Sequence, residues 1–332
     1  MTRKFSRRDA LKWGAAAFAA TGAAQGLFVP VAEAMAGKKR DSHAPAAKKP
    51  AQRAKTTKPK KGQPVPHTKK PVPAALVPTT PVDTVALSRL IEELLDVSGT
   101  PGLSIAIIEN RRVTWAEGFG VASAEAKTPV TPSTPFQAAS LTKPTFAYAV
   151  LKLCETGVLS LDMPLRTGYF PQLQVSGDPL ADAITARMAL SHTSGLPLKH
   201  SAEWPMKLDF APGQCFNYSG AAYLYLQQVV EHVTGQPLDA VLQQHVVAPL
   251  GLLNTGYVWK PEYDSICAVG YDWDGRPVKD VSRPTAANCA GSLHTTPGDF
   301  ATFMLEAMNA ARRNQDLLDY LSRRMLLSPQ VR

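Results

Sequence analysis

From residue 81 onward, apolar positions recur with two periods. Leu87, Leu90, Ile91, Leu94 and Leu95 fall at i, i+3, i+4, i+7 and i+8, the stripe of an amphipathic helix. Asp83 is placed to N-cap this helix, and Gly99 to end it after about Ser98. The period then shortens: "GLSIAIIEN" and "RVTWAEGFGVA" read as two strands, joined as a hairpin near Asn110–Arg111. A Pro/Thr-rich loop, Thr128–Pro135, follows. Next comes a helix with Phe146, Ala149, Val150, Leu153 and Cys154 on one face, ended by Gly157. Further helices are predicted near Asp182–Leu190, Ala221–Val233, Leu238–Val246, Thr296–Ala311 and Gln315–Leu326. A strand hairpin followed by a mainly helical region is an α+β pattern, not alternating βαβ units. The sequence contains no visible internal repeat and no G-x-G-x-x-G or P-loop motif.

The first 80 residues break this pattern. Residues 1–36 open with "MTRKFSRRDALKWG", in which Arg7 and Arg8 are adjacent, and Trp13–Ala32 carry no charge. The closing "VAEAMA" offers an A-x-A cleavage site, and the whole resembles a twin-arginine export signal. The expected location is therefore periplasmic or extracellular. The uncharged run is mostly Ala and Gly, with Pro30 near its end, which makes it a poor permanent membrane anchor. Residues 37–80 are rich in Lys, Pro and Ala and hold no Phe, Trp or Tyr. Such a segment buries too little apolar area to offset its ordering entropy and reads as an extended linker. It is either a solvated spacer or a weak electrostatic contact with an anionic envelope surface.

Charge follows the same division. The chain's formal charge is +9, yet residues 1–80 hold 17 Lys/Arg against 3 Asp/Glu, leaving 19 against 24 in residues 81–332. The globular part, residues 81–332, carries no nucleic-acid footprint. The four cysteines, Cys154, Cys215, Cys267 and Cys289, form no C-x-x-C and no Cys/His cluster with zinc spacing. No metal or cofactor is implied. Disulfides and buried free thiols both remain open, and Cys154 lies on an apolar helical stripe.

Chemistry concentrates in "FQAASLTKPTF", Phe136–Phe146. A proline is tolerated only in the first turn of a helix, so Pro144 fixes the helix start between Ser140 and itself. If Ser140 opens the helix, its hydroxyl sits at the positive end and Lys143, three residues on, shares its face. A lysine beside a serine can take its proton. The alternative starts the helix at Pro144 and separates the pair, with Lys143 extended.

The wider text adds to this. "FQAASLTKPTFAYAVLKLCETGVLSLDMPL" closely resembles the nucleophile region of class C-type serine β-lactamases. That family also includes penicillin-binding proteins, D-alanyl-D-alanine carboxypeptidases and related esterases. "ITARMALSHTSGLP" at 184–197, "APGQCFNYSGAAYLYLQQVVEHVTGQPL" at 211–238 and "NCAGSLHTTPGDFATFM" at 288–304 continue the resemblance in order. It implies a β-lactamase/transpeptidase-like α+β fold, with an antiparallel sheet, flanking helices and a mainly helical region. By the resemblance Ser140 is the acylated nucleophile, Lys143 its partner and Tyr218 the tyrosine of the second motif. Lys and Tyr side chains titrate in one range, so a close pair shares protons. His192 and His294 read as structural histidines. The implied activity is an exported serine hydrolase acting on a β-lactam, a D-Ala-D-Ala-type or other peptidoglycan-type peptide, or a small ester. The alternative is a catalytically impaired or inactive cell-wall-binding relative, or a gene fragment.

Two positions depart from the family. Gly220 stands where the second motif has asparagine, so no side-chain amide is available there to hold a substrate carbonyl. No Lys-Thr-Gly or His-containing third motif follows Ser292. The expectation is a domain at 81–332 that lacks the family's C-terminal sheet strands and is weakened in folding and catalysis.

Overall fold

The computed structural model describes residues 81–198, 205–278, 282–308 and 318–330. The export segment and all of the 37–80 linker lie outside the described residues. Helix α1 spans Thr84–Ser98. Asp83 caps it by accepting the N–H groups of Val85 and Ala86, and Gly99 closes it in the left-handed region at φ 66°. Strands β1 (Gly102–Glu109) and β2 (Arg112–Ser123) pair antiparallel, with Glu109 opposite Arg112. Asn110 and Arg111 both have positive φ, the backbone of a tight two-residue hairpin turn. The short strand β3 (Thr128–Pro129) adds to β2, giving a sheet of order β1-β2-β3.

Strand β4 (Phe136–Ala139) leads into helix α2 (Thr142–Glu155). The sequence predicts α2 with one apolar face, but the helix is buried on nearly every side. Phe146, Tyr148, Val150 and Leu151 are all enclosed, and buried Lys152 is tolerated because it pairs with Glu155 at 3.1 Å. This is a central helix around which the others pack.

The helical region follows. Helix α3 covers Leu165–Tyr169. The single helix expected over Asp182–Leu190 is split into a 3₁₀ turn, Pro179–Ala183, and helix α4, Ala186–Leu190. Thr185 is extended and caps α4 by accepting the Met188 N–H, which forces the break. Helix α5 spans Gly220–Thr234, capped by Ser219. Helix α6 (Leu238–Leu242) passes into a π turn at Gln243–Val247 and then α7 (Ala248–Leu250). Pro249 has no N–H to continue the regular ladder there. A short helix α8 (Tyr263–Ile266) precedes strand β5 (Leu293–Thr295), which pairs antiparallel with β4. Helix α9 (Pro297–Met308) packs on β1 and β2, and α10 (Tyr320–Leu327) packs on α2 and α9.

The α1 stripe is only partly covered. Ile91 is buried, while Leu90 and Leu94 remain exposed. The helix packs on β2, and among the described residues β1 is one edge of the three-stranded sheet. All four cysteines are free thiols, with Cys289 buried and Cys215 exposed.

Candidate active site

The stretch that carries Ser140 is a strand–turn–helix. Strand β4 ends at Ala139, whose φ of 44° is unusual for a residue with a Cβ and turns the chain sharply. Ser140 and Leu141 form the turn and α2 begins at Thr142, so Pro144 is its third residue. This resolves the two placements that the sequence leaves open. Lys143 is helical rather than extended, its N–H bonds the Ser140 carbonyl at 3.1 Å, and the pair stays together.

Ser140 is exposed, whereas Lys143 is only 6% exposed. Lys143 Nζ donates to Ser140 Oγ at 3.3 Å and to the Ala290 carbonyl at 2.7 Å. The ring of Tyr218 lies 4.9 Å from the same nitrogen, and that of Tyr223 lies 5.5 Å away. When it carries a proton, a lysine amine beside two aromatic rings gains a cation–π contribution in place of some lost hydration. The sequence-predicted Ser140, Lys143 and Tyr218 therefore meet around one nitrogen, with Tyr218 brought in from a distant part of the chain.

His192 supports this group without offering a charge. Its Nδ1 accepts the Ser219 N–H at 3.0 Å, and its ring lies 4.4 Å from Tyr218 and 5.1 Å from Tyr223. Burial, reinforced by the nearby Lys143 charge, pushes its pKa down to about 4, so near neutrality it is a neutral acceptor. His294 is buried in β5, where burial also lowers its pKa; its Nδ1 lies 3.1 Å from the Ser292 carbonyl. Neither histidine hydrogen-bonds Ser140 among the described residues.

Three contributors are invisible to motif reading. Thr142 is fully buried; its hydroxyl donates to the Ala139 carbonyl at 2.6 Å and accepts the Leu293 N–H at 2.9 Å. The loop Asn288–Ser292 supplies Ala290's carbonyl, a backbone group that no side-chain pattern reports. Gln227 bonds that loop from α5, and its signal was available as a polar residue on the buried stripe Tyr223, Leu226, Val230.

Gly220, the departure in the second motif, is the first residue of α5. Its N–H donates to the Leu198 carbonyl at 2.8 Å, and a Cβ there would stand 2.8 Å from that same oxygen. A side chain at this position would therefore require the Leu198 backbone to shift.

The chain matches the family model described as Beta-lactamase over residues 87–332. It is 28% identical over 219 residues to protein flp of Staphylococcus aureus (strain MW2), a match covering 60% of this chain and 43% of flp. It is 30% identical over 244 residues to esterase EstB of Burkholderia gladioli, covering 62% and 60% respectively. The chain therefore spans less than two thirds of the length of these relatives. The octameric penicillin-binding protein homologue from Pyrococcus abyssi superposes with a TM-score of 0.60 at 25% identity, covering 73% of this chain and 59% of that one. The D-alanine carboxypeptidase AmpC from Burkholderia cenocepacia superposes with a TM-score of 0.61 at 23% identity, covering 73% and 68%. The fold is thus β-lactamase/transpeptidase-like, with antiparallel sheets and flanking helices, and its neighbours include named hydrolases.

Proposed function

The chain belongs to the Beta-lactamase family, and from that premise we propose that it is a serine hydrolase working through an acyl-enzyme on Ser140. The observation that carries this reading is Lys143 Nζ, 3.3 Å from an exposed Ser140 Oγ and beneath the ring of Tyr218. Ser140 Oγ attacks the substrate acyl carbon, and its proton passes to the Lys143/Tyr218 pair. The Ser140 N–H is one donor to the developing oxyanion. As the tetrahedral intermediate collapses, the pair returns that proton to the departing alcohol or amine. Water then adds to the acyl-enzyme with the same pair as base, releasing the acid and restoring Ser140. Each half balances by itself: in acylation the pair carries the Ser140 proton to the leaving group, and in deacylation it carries a water proton back to Ser140 Oγ.

The substrate class is an acyl compound: a β-lactam, a D-Ala-D-Ala-type peptide or a small ester. The glycine at 220 leaves no side-chain amide to hold a peptide-like carbonyl, which favours small esters. The Arg7/Arg8 signal pattern supports action outside the cytoplasm, with the basic linker in weak contact with an anionic envelope surface. Fractionation of cells carrying the full chain, with an Arg7→Lys/Arg8→Lys variant as control, tests the location.

The central test is covalent labelling. A fluorophosphonate or fluorescent penicillin is expected to label the protein at Ser140, and p-nitrophenyl esters to turn over. Labelling that persists in Ser140→Ala would overturn the assignment.

A further inference from the structure

The inference rests on the acyl-enzyme reading above. We propose that Gln227 is a positioning residue: it clamps the Asn288–Ser292 loop so that the Ala290 carbonyl holds Lys143 beside Ser140.

The side-chain amide of Gln227 pairs with the loop backbone on both sides. Oε1 accepts the Cys289 N–H at 2.9 Å, and Nε2 donates to the Ala287 carbonyl at 3.0 Å. One helical turn on, Glu231 Oε1 accepts from the same Nε2 at 3.1 Å and from the Leu238 N–H at 3.0 Å. A carboxylate cannot face an amide oxygen, so Glu231 fixes which way the Gln227 amide points. The polar chain thus runs from the start of α6, through Glu231 and Gln227, to the loop.

The loop's own bonds set its shape. The Asn288 side chain accepts the Ala290 N–H at 2.8 Å, and the Asn288 carbonyl accepts the Ser292 N–H at 3.2 Å. These bonds do not set its place relative to α2. On one side it is tied by the β4–β5 pairing and by Thr142 through the Leu293 N–H, and on the other by Gln227. Ala290 lies between the two anchors. Its carbonyl is closer to Lys143 Nζ, at 2.7 Å, than Ser140 Oγ is, at 3.3 Å. Where the carbonyl sits therefore decides where the amine rests. Displacement of reacting groups by about 1 Å costs on the order of a hundredfold in rate.

The loop also carries its own reporter. The Cys289 thiol is fully buried, and burial holds its pKa well above the ordinary range. It becomes reactive only when the loop opens.

The test uses the full chain with Gln227→Ala and Gln227→Glu. The second variant keeps the size and the acceptor for the Cys289 N–H, but it loses the donor to Ala287 and sets a second carboxylate beside Glu231. Expected in both are kcat for a p-nitrophenyl ester reduced roughly ten- to hundredfold and KM within about twofold. Fluorophosphonate should still attach at Ser140, slowed in proportion. Peptide mapping should show faster iodoacetamide alkylation of Cys289, while thermal unfolding stays cooperative. A purely structural glutamine would lower activity only as far as the folded fraction falls, and that result overturns the proposal. So does wild-type labelling rate with unchanged Cys289 protection in either variant. If the wild-type protein is not labelled at Ser140, the acyl-enzyme reading fails instead. Cys289 protection then still decides whether Gln227 holds the loop.

Discussion

Thr142 and Leu293 are joined by a hydrogen bond of 2.9 Å, made by a hydroxyl that also donates to the Ala139 carbonyl at 2.6 Å. One buried side chain thus ties the first turn of α2 to both strands of the β4–β5 pair. The turn bearing Ser140 is held from below by this hydroxyl. Thr142→Val keeps the shape and leaves the Leu293 N–H and the Ala139 carbonyl without that partner. A buried polar group left unpaired costs about 1–3 kcal/mol. The variant is expected to unfold at lower urea and to label more slowly at Ser140, with Thr142→Ser close to wild type. Urea midpoints and labelling rates identical to wild type in Thr142→Val would remove Thr142 from the site's support.

Stability should depend on pH through His192. Its folded pKa of about 4 lies below the ordinary value of 6.5, chiefly because it is buried. Between these two values the unfolded chain binds the proton more readily, so stability rises with pH across the window. This contribution is fully present above about 6.5 and is lost as pH falls towards 4. His245 and His294 are also lowered by burial and act in the same direction. The informative quantity is therefore the difference in slope between wild type and His192→Phe. The variant should be less stable at pH 7, because the Ser219 N–H loses its acceptor, and flatter between pH 6.5 and 4. Equal slopes in urea unfolding across that window would show that His192 does not titrate with folding.

Much of this could be read from local sequence, and the failures have physical causes. Asp83 and Gly99 bound α1 as expected, and Asn110–Arg111 make the hairpin turn, because caps and tight turns are decided by a few adjacent residues. Ser140, Lys143 and Tyr218 are legible in the sequence only as residue types. Their convergence on one nitrogen depends on how α2 and α5 pack, which no local pattern reports. Strand β5 is not legible in the sequence, since three residues are too few for period-2 alternation to show. The Ala290 carbonyl had no signal, being a backbone group placed by its neighbours. The encasement of α2 was underestimated because periodicity marks its strongest face and not the number of helices around it.

The Glu306–Arg323 pair joins α10 to α9, and Tyr148 links it to α2, the helix that bears Lys143. Both side chains are nearly fully buried and their charges meet at 3.0 Å. The Tyr148 hydroxyl on α2 reaches Glu306 at 3.5 Å and accepts the Leu318 N–H at 3.1 Å. Removing one member of a buried ion pair costs about 3–5 kcal/mol. Arg323→Met should lower stability by that order, and the double variant Arg323→Met/Glu306→Leu should recover a substantial part of it. A double-mutant cycle in urea measures the coupling. Additive losses would mean that the charges do not depend on each other.

Gly220 is expected to resist conversion to the family's asparagine. A Cβ at this position would lie 2.8 Å from the Leu198 carbonyl, the same oxygen that accepts the Gly220 N–H. Any side chain must push that loop away and lengthen the bond. Forcing extra atoms into a filled space costs about 1–3 kcal/mol. The push has a route to the site. Ser219 caps α5 and donates to the Pro197 carbonyl at 2.8 Å, and Tyr218 is the next residue back. Gly220→Asn should therefore lower the unfolding midpoint and slow ester turnover, without raising nitrocefin hydrolysis, despite adding the missing amide. Gly220→Ala should show the same stability loss, since the clash arises at Cβ. Nitrocefin turnover that rises in Gly220→Asn at an unchanged midpoint would mean that substrate choice, and not the approach of Leu198, maintains the glycine.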